Sequence, residues 1–158
     1  KKKMIKNTLI LFTLLFLNSC IKTSVYQEYK DIPQLGWHTD SLLVFDCTLK
    51  DTTLQHNIVL AIRHNINYNY QNLFLFISSE EKRDTVEILL SDKKGKWHGK
   101  GVGNIREAKT VLKEFKIKNT LRPQKIFLEQ AMRYGPNNEI KYLKNIKSIG
   151  LIVKTKNE

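Results

Sequence analysis

His56-Asn57-Ile58-Val59-Leu60-Ala61-Ile62-Arg63-His64 alternates with a period of two: Ile58, Leu60 and Ile62 fall on one face, and Val59, Ala61 and Arg63 on the other. That is the pattern of a β-strand. Working outward, Val25 to Tyr29 is strand-like, and Leu43, Phe45, Cys47 and Leu49 share one face. Leu73 to Ile77 is continuously apolar, as an interior strand can be. Val86, Ile88 and Leu90 repeat the period, as do Ile149, Leu151 and Val153. Turn chemistry separates these runs: the amide-rich stretch Asn65 to Asn72, then Ser91-Asp92-Lys93-Lys94-Gly95, then Gly135-Pro136-Asn137-Asn138. Pro123 to Gly135 has helix-like boundaries, but Ile126, Leu128 and Met132 alternate, and a strand is the better reading. Eight to ten short strands at this spacing predict an all-β chain, an antiparallel β-sandwich of jelly-roll-like form in a single domain over residues 25–158.

The other distinctive stretch lies ahead of that domain. A basic run, Lys1-Lys2-Lys3-Met4-Ile5-Lys6, precedes an apolar core from Leu9 to Leu17 and then Leu17-Asn18-Ser19-Cys20. This is the form of a bacterial lipoprotein signal, with residues 1–19 removed, Cys20 acylated, and residues 20–24 left as a short tether. The apolar core is about half of the ~20 residues that a membrane-spanning helix needs. The expected partner is therefore a membrane, through the lipid anchor. Ile21 after the lipobox Cys, and not Asp, indicates the outer membrane, and the lack of an acidic cluster there indicates its periplasmic face.

The 158-residue chain has a formal charge of +12, and residues 20–158 carry 23 basic against 15 acidic groups, or +8. Its lysines are scattered through strand-like segments, so nucleic acid is not the expected partner. With Cys20 acylated, Cys47 has no thiol to pair with, and its alternation face makes it a buried small hydrophobe. His38, His56, His64 and His98 lack ligand spacing, so no metal and no cofactor are expected. Gly95-Lys96-Trp97-His98-Gly99-Lys100-Gly101-Val102-Gly103 has the wrong spacing for a phosphate loop and reads as a hairpin arm in which Trp97 packs. Ser148-Ile149-Gly150 lacks the first glycine of a nucleophile elbow, and the acids at Glu80, Glu81, Asp84, Glu87 and Asp92 are not placed at a common cleft. No catalytic set emerges, and the chain is not expected to be an enzyme.

Two arginines and four aromatics remain as candidates for contacts. Arg63 ends an apolar strand, and strand alternation puts Glu129 and Arg133 on one face, four residues apart. Each is expected to tie strands together through carboxylate or carbonyl partners, a buried acid in the case of Arg133, with a ligand-binding role as the alternative. Trp37, Trp97, Tyr68 and Tyr70 could stack sugars if exposed, which makes a glycan-binding module of the cell envelope the competing reading.

The ordered set of a lipobox, Gly36-Trp37, Phe45, Leu60-Ala61-Ile62-Arg63, Tyr68 to Leu73, Asp84-Thr85-Val86-Glu87, Gly95 to Gly101, Glu129 to Arg133 and Ile149-Gly150-Leu151 resembles the gliding-motility lipoprotein family GldH of Bacteroidetes. The likeness covers nearly the whole chain after the lipobox. It departs at Leu121-Arg122-Pro123-Gln124-Lys125, where the family tends to carry Phe-Pro and a glycine. The resemblance implies an envelope lipoprotein required for gliding motility, acting through protein contacts beside the secretion and adhesin-moving apparatus. It carries over no catalytic residue and no small-molecule ligand, and Cys20 is the one functional residue that transfers.

Overall fold

A computed structural model describes residues 24–49, 55–80, 82–113, 115, 122–135 and 138–156. Among them are twelve strands: β1 (Ser24–Asp31), β2 (Trp37–His38), β3 (Leu43–Cys47), β4 (His56–Asn65), β5 (Asn72–Ser78), β6 (Arg83–Leu89), β7 (Ile105–Leu112), β8 (Gln124–Gln130), β9 (Arg133–Tyr134), β10 (Asn138–Glu139), β11 (Tyr142–Leu143) and β12 (Ile146–Thr155). No helix occurs among the described residues, and the competing helix at Pro123 to Gly135 is instead β8 followed by β9.

Two four-stranded antiparallel sheets form the sandwich, in the orders β1-β12-β4-β7 and β3-β8-β5-β6. Counting only these eight long strands in chain order, the sheets read 1-8-3-6 and 2-7-4-5. That double Greek key is the jelly roll. Two small ribbons pair β2 with β11 and β9 with β10.

The alternation read from the sequence sets the faces. Ile58, Leu60 and Ile62 of β4, Leu73, Leu75 and Ile77 of β5, Ile126 and Leu128 of β8, and Ile149 and Leu151 of β12 point inward and are almost wholly buried in one core. β5 is interior and apolar, yet only alternate residues enter the core; Phe74 and Phe76 lie half-buried on the outer face. Cys47 is buried beside Leu49 and Val153, and burial pushes its thiol up to about 11, so it serves as packing. The 91–95 turn closes as expected, with the Asp92 carboxylate accepting from the amides of Lys94 and Lys96 at 2.9 Å each.

The two sides of the sandwich differ. β1 approaches β3, and Tyr26 packs on Cys47 and Leu49 there. On the other side the edge strands β6 and β7 flank an open groove, lined by Asp84, Val86, Glu87, Leu112 and Phe115 at one end and by Leu89, His98 and Lys109 at the other. The glycine-rich arm crosses the second end. Its Lys100 pairs with Glu107 of β7 through both peptide groups, and a Cβ on Gly99 or Gly101 would come 1.8 Å from the carbonyl oxygens of Glu107 or Ile105. The expected hairpin arm is therefore present, and its glycines allow backbone to lie against backbone.

Candidate functional site

Four side chains meet on the outer face of the β1-β12-β4-β7 sheet. Arg63 of β4 donates from Nε to Glu107 of β7 at 2.6 Å, and its guanidinium lies 4.1 Å from the Tyr29 ring of β1. The Tyr29 hydroxyl donates to the same Glu107 carboxylate at 3.2 Å, and Lys109 reaches its other oxygen at 2.9 Å. Tyr29 pairs with Gly150 of β12, and a Cβ at Gly150 would stand 2.5 Å from the ring, so the missing side chain is what lets tyrosine cross β12. One polar line thus spans all four strands. Burial pushes the Glu107 carboxyl up, but hydrogen bonds from Lys109 and Arg63 outweigh it and hold it below the usual carboxylate range. Burial and the Glu107 charge raise the Tyr29 hydroxyl. Arg63 thus links β4 to β7 through its Nε, with its side chain 44% exposed.

Arg133 departs from expectation. Its partner is Glu139 of the facing strand β10, at 3.1 Å, whereas Glu129 lies 3.9 Å from Arg83. The alternation that joined Glu129 to Arg133 stops after Gln130. The Gln130 side chain accepts from the Met132 amide at 2.9 Å and donates to the Ile140 carbonyl at 2.7 Å, and both Ala131 and Met132 are buried. Glu139 is 54% exposed, so no buried acid would be stranded by loss of Arg133, and the pair is worth about 0–1 kcal/mol. Arg83 and Arg133 both approach the outward Phe76 ring, at 4.7 and 5.9 Å.

The aromatic candidates do not form a shared surface strip. Trp37 has no exposure and donates from Nε1 to the Ser41 carbonyl at 2.9 Å, which places it in the core and corrects its reading as a surface contact. Tyr68 is buried as well, with its hydroxyl donating to the Asn72 carbonyl. Tyr70 is half-buried against Tyr68 at 5.5 Å between centroids. Trp97 is half-buried with one side against His64, whose ring centre is 4.7 Å away. The ring of His64 is itself inaccessible, with Nδ1 donating to the Asn65 carbonyl. No group of three His, Cys, Asp or Glu side chains able to hold a metal occurs among the described residues. Cys20 lies outside them.

His64 gives a pH dependence with a definite sign. Burial first, and Arg106 on the neighbouring strand second, lower its folded pKa, against the raising effect of the Asn65 carbonyl. The unfolded chain then binds a proton that the folded chain refuses, so stability is full above the ordinary histidine value of about 6.5 and declines as pH falls from there towards the lower folded value. Urea melts from pH 8 to pH 5 should show this loss, and His64→Phe should flatten that part of the curve. An unchanged slope in His64→Phe would assign the acid sensitivity to other groups.

Sequence reading did not foresee Tyr29, Glu107 and Gly150, since the pairing of the first strand with the last brings them together. A glycine within an otherwise apolar strand was the one available hint.

Residues 24–153 match the family model described as GldH lipoprotein. A gliding motility lipoprotein GldH homolog from Christiangramia forsetii is 34% identical over 148 residues, covering 90% of this chain and 90% of the relative. The gliding motility lipoprotein GldH of Flavobacterium johnsoniae is 33% identical over 160 aligned positions, covering 96% of this chain and 98% of that one. Among solved structures, a family GH115 4-O-methyl-alpha-glucuronidase with specificity for decorated arabinogalactans superposes on 87% of this chain and 18% of its own, with a TM-score of 0.46 and 12% identity, too distant to bear on activity. With one family model matching nearly the whole sandwich and two relatives aligned almost end to end, the chain belongs to the GldH family of gliding motility lipoproteins.

Proposed function

We propose that this protein is a lipid-anchored lipoprotein of the cell envelope, held through Cys20 at the periplasmic face of the outer membrane, that serves gliding motility by contacting other envelope proteins and not by catalysis. The observation that carries the reading is the match along the whole sandwich to proteins named for gliding motility. The geometry supports contact over chemistry: Arg63 and Arg133 are engaged with carboxylates of the same chain, and Trp37 and Tyr68 are core residues. A sugar-stacking strip would need those rings at the surface.

The test is complementation of a deletion strain in a gliding host. Wild type should restore spreading, while Cys20→Ser should lose palmitate labelling, remain unprocessed and restore spreading poorly, because tethering raises the local concentration at the membrane. In a host that does not glide, the deletion should instead weaken secretion or outer-membrane integrity. Palmitate labelling of Cys20→Ser equal to wild type would reject the anchor, and normal gliding of the deletion strain would reject the function.

A further inference from the structure

The groove between β6 and β7 ends in a bare strand edge. Residues of β7 alternate between facing β4 and facing the groove, and Glu107, which bonds outward to Lys100, fixes which set faces out. Lys109 and Val111 belong to that outward set. Neither has a backbone partner on the groove side among the described residues, and the Val111 side chain is 47% exposed. The arm that pairs at Lys100 turns away one step later, where the His98 amide donates to the Leu90 carbonyl at 2.8 Å. Among the described residues, the arm therefore covers the first position of the edge and leaves the next ones open.

Three comparisons favour β7 over the other edges. β1 and β3 close on each other. β6 blunts its own edge, since the Asp84 carboxylate accepts from the Thr85 amide at 2.9 Å. At β7 the groove wall offers Val86, Ala108, Leu112 and Phe115 to inward side chains of an added strand, a mostly apolar floor. The acids that line the groove are already engaged: Asp84 by Lys82, Glu87 by Asn72, and Glu107 by Arg63 and Lys109. Lys100 and Lys113, at the two ends of the bare stretch, have no carboxylate partner among the described residues.

We propose that the β7 edge from Lys109 to Lys113 accepts an extended segment of a partner protein as an added strand, with alternating apolar residues turned into the groove and acidic residues at its ends, near Lys100 and Lys113. Main-chain bonds would supply affinity and the groove would select side chains, the usual division in strand addition. The bare stretch from Lys109 to Lys113 is about 13 Å at strand rise, which suits about five paired residues, with one more at each end to reach Lys100 and Lys113. A second copy of this chain is the poorer occupant, because residues 20–158, at a formal charge of +8, would bring lysine-bearing edges together. The inference deepens the proposed contact role and rests on it.

The probe is a synthetic peptide of about seven residues with glutamate at each end of a Val-Thr alternation, added to the full-length protein in detergent. Hydrogen exchange should slow at the Lys109 and Val111 amides, and a peptide with lysine at each end should bind about tenfold more weakly or worse. Val111→Pro removes an outward N–H without touching the bonds to β4, so it should abolish binding and fail to restore gliding while melting near wild type. If it does not fold, Lys100→Glu combined with Lys113→Glu, two exposed changes, should reverse the preference between the two peptides. Unchanged exchange at Lys109 and Val111 with the acidic peptide means that the lysines merely guard the edge, and the proposal falls. Gliding restored by both wild type and a folded Val111→Pro also overturns it while leaving the contact role standing, whereas failure of wild type to restore gliding removes the contact role itself.

Discussion

Trp37→Ala should lose about 3–5 kcal/mol of folding stability, the usual cost of truncating a large buried aromatic. The ring has no exposure, and its removal both opens a cavity and leaves the Ser41 carbonyl without its indole donor. Its surroundings are poorly placed to collapse around the gap. β2 is only two residues long and, among the described residues, pairs with the equally short β11, so few backbone bonds hold that ribbon beside the ring. Against a total of about 5–15 kcal/mol for a domain, the loss would be a large displacement of the urea midpoint. A midpoint equal to wild type would mean that Trp37 is not packed as described. Gliding lost in this variant would report unfolding and would say nothing about a binding surface.

Gly101→Ala should release the arm from β7. The new Cβ would be placed 1.8 Å from the Ile105 carbonyl oxygen and 2.8 Å from its carbon, and both are backbone atoms that no side-chain rotation can clear. Overpacking of this kind costs about 1–3 kcal/mol. The effect should be local and visible: the Glu107 amide, which donates to the Lys100 carbonyl at 2.8 Å, should exchange faster, as should the Lys100 amide. Retained protection at Glu107 would show that the arm does not run against the strand. Gly99 faces the same constraint from the Glu107 carbonyl and adds a left-handed φ of +80°, so Gly99→Ala should behave alike.

Much of the architecture could be read before the structure because burial on one face forces alternation. β4, β12 and β6 each follow the pattern of Ile and Val spacing that marks them, and Asp92 could be recognised as a turn residue from its neighbours. What local pattern cannot carry is pairing. The line from Tyr29 to Glu107 depends on β1 lying beside β12 and β12 beside β4, contacts between residues more than a hundred positions apart in the first case. Arg133 was matched to Glu129 because alternation was extended through Ala131 and Met132, where Gln130 ends the strand by bonding the chain back on itself. Trp37 sits in a strand too short to show any period, so its burial had no signal in its neighbours.

The pairing of the first strand with the last also sets how the domain would bear a pull. Ser24 faces Lys154 at one end of the β1-β12 ladder and Asp31 faces Ser148 at the other. A tug on the segment preceding Ser24, directed along the strand, loads the whole ladder sideways, so its bonds resist together and do not open one after another. The Tyr29 ring, set across Gly150 onto Arg63, adds a side-chain contact that such sliding would have to break. Survival under load is governed by the unfolding rate and not by the equilibrium stability. Under such a load the domain would keep its shape for as long as this ladder stays in register.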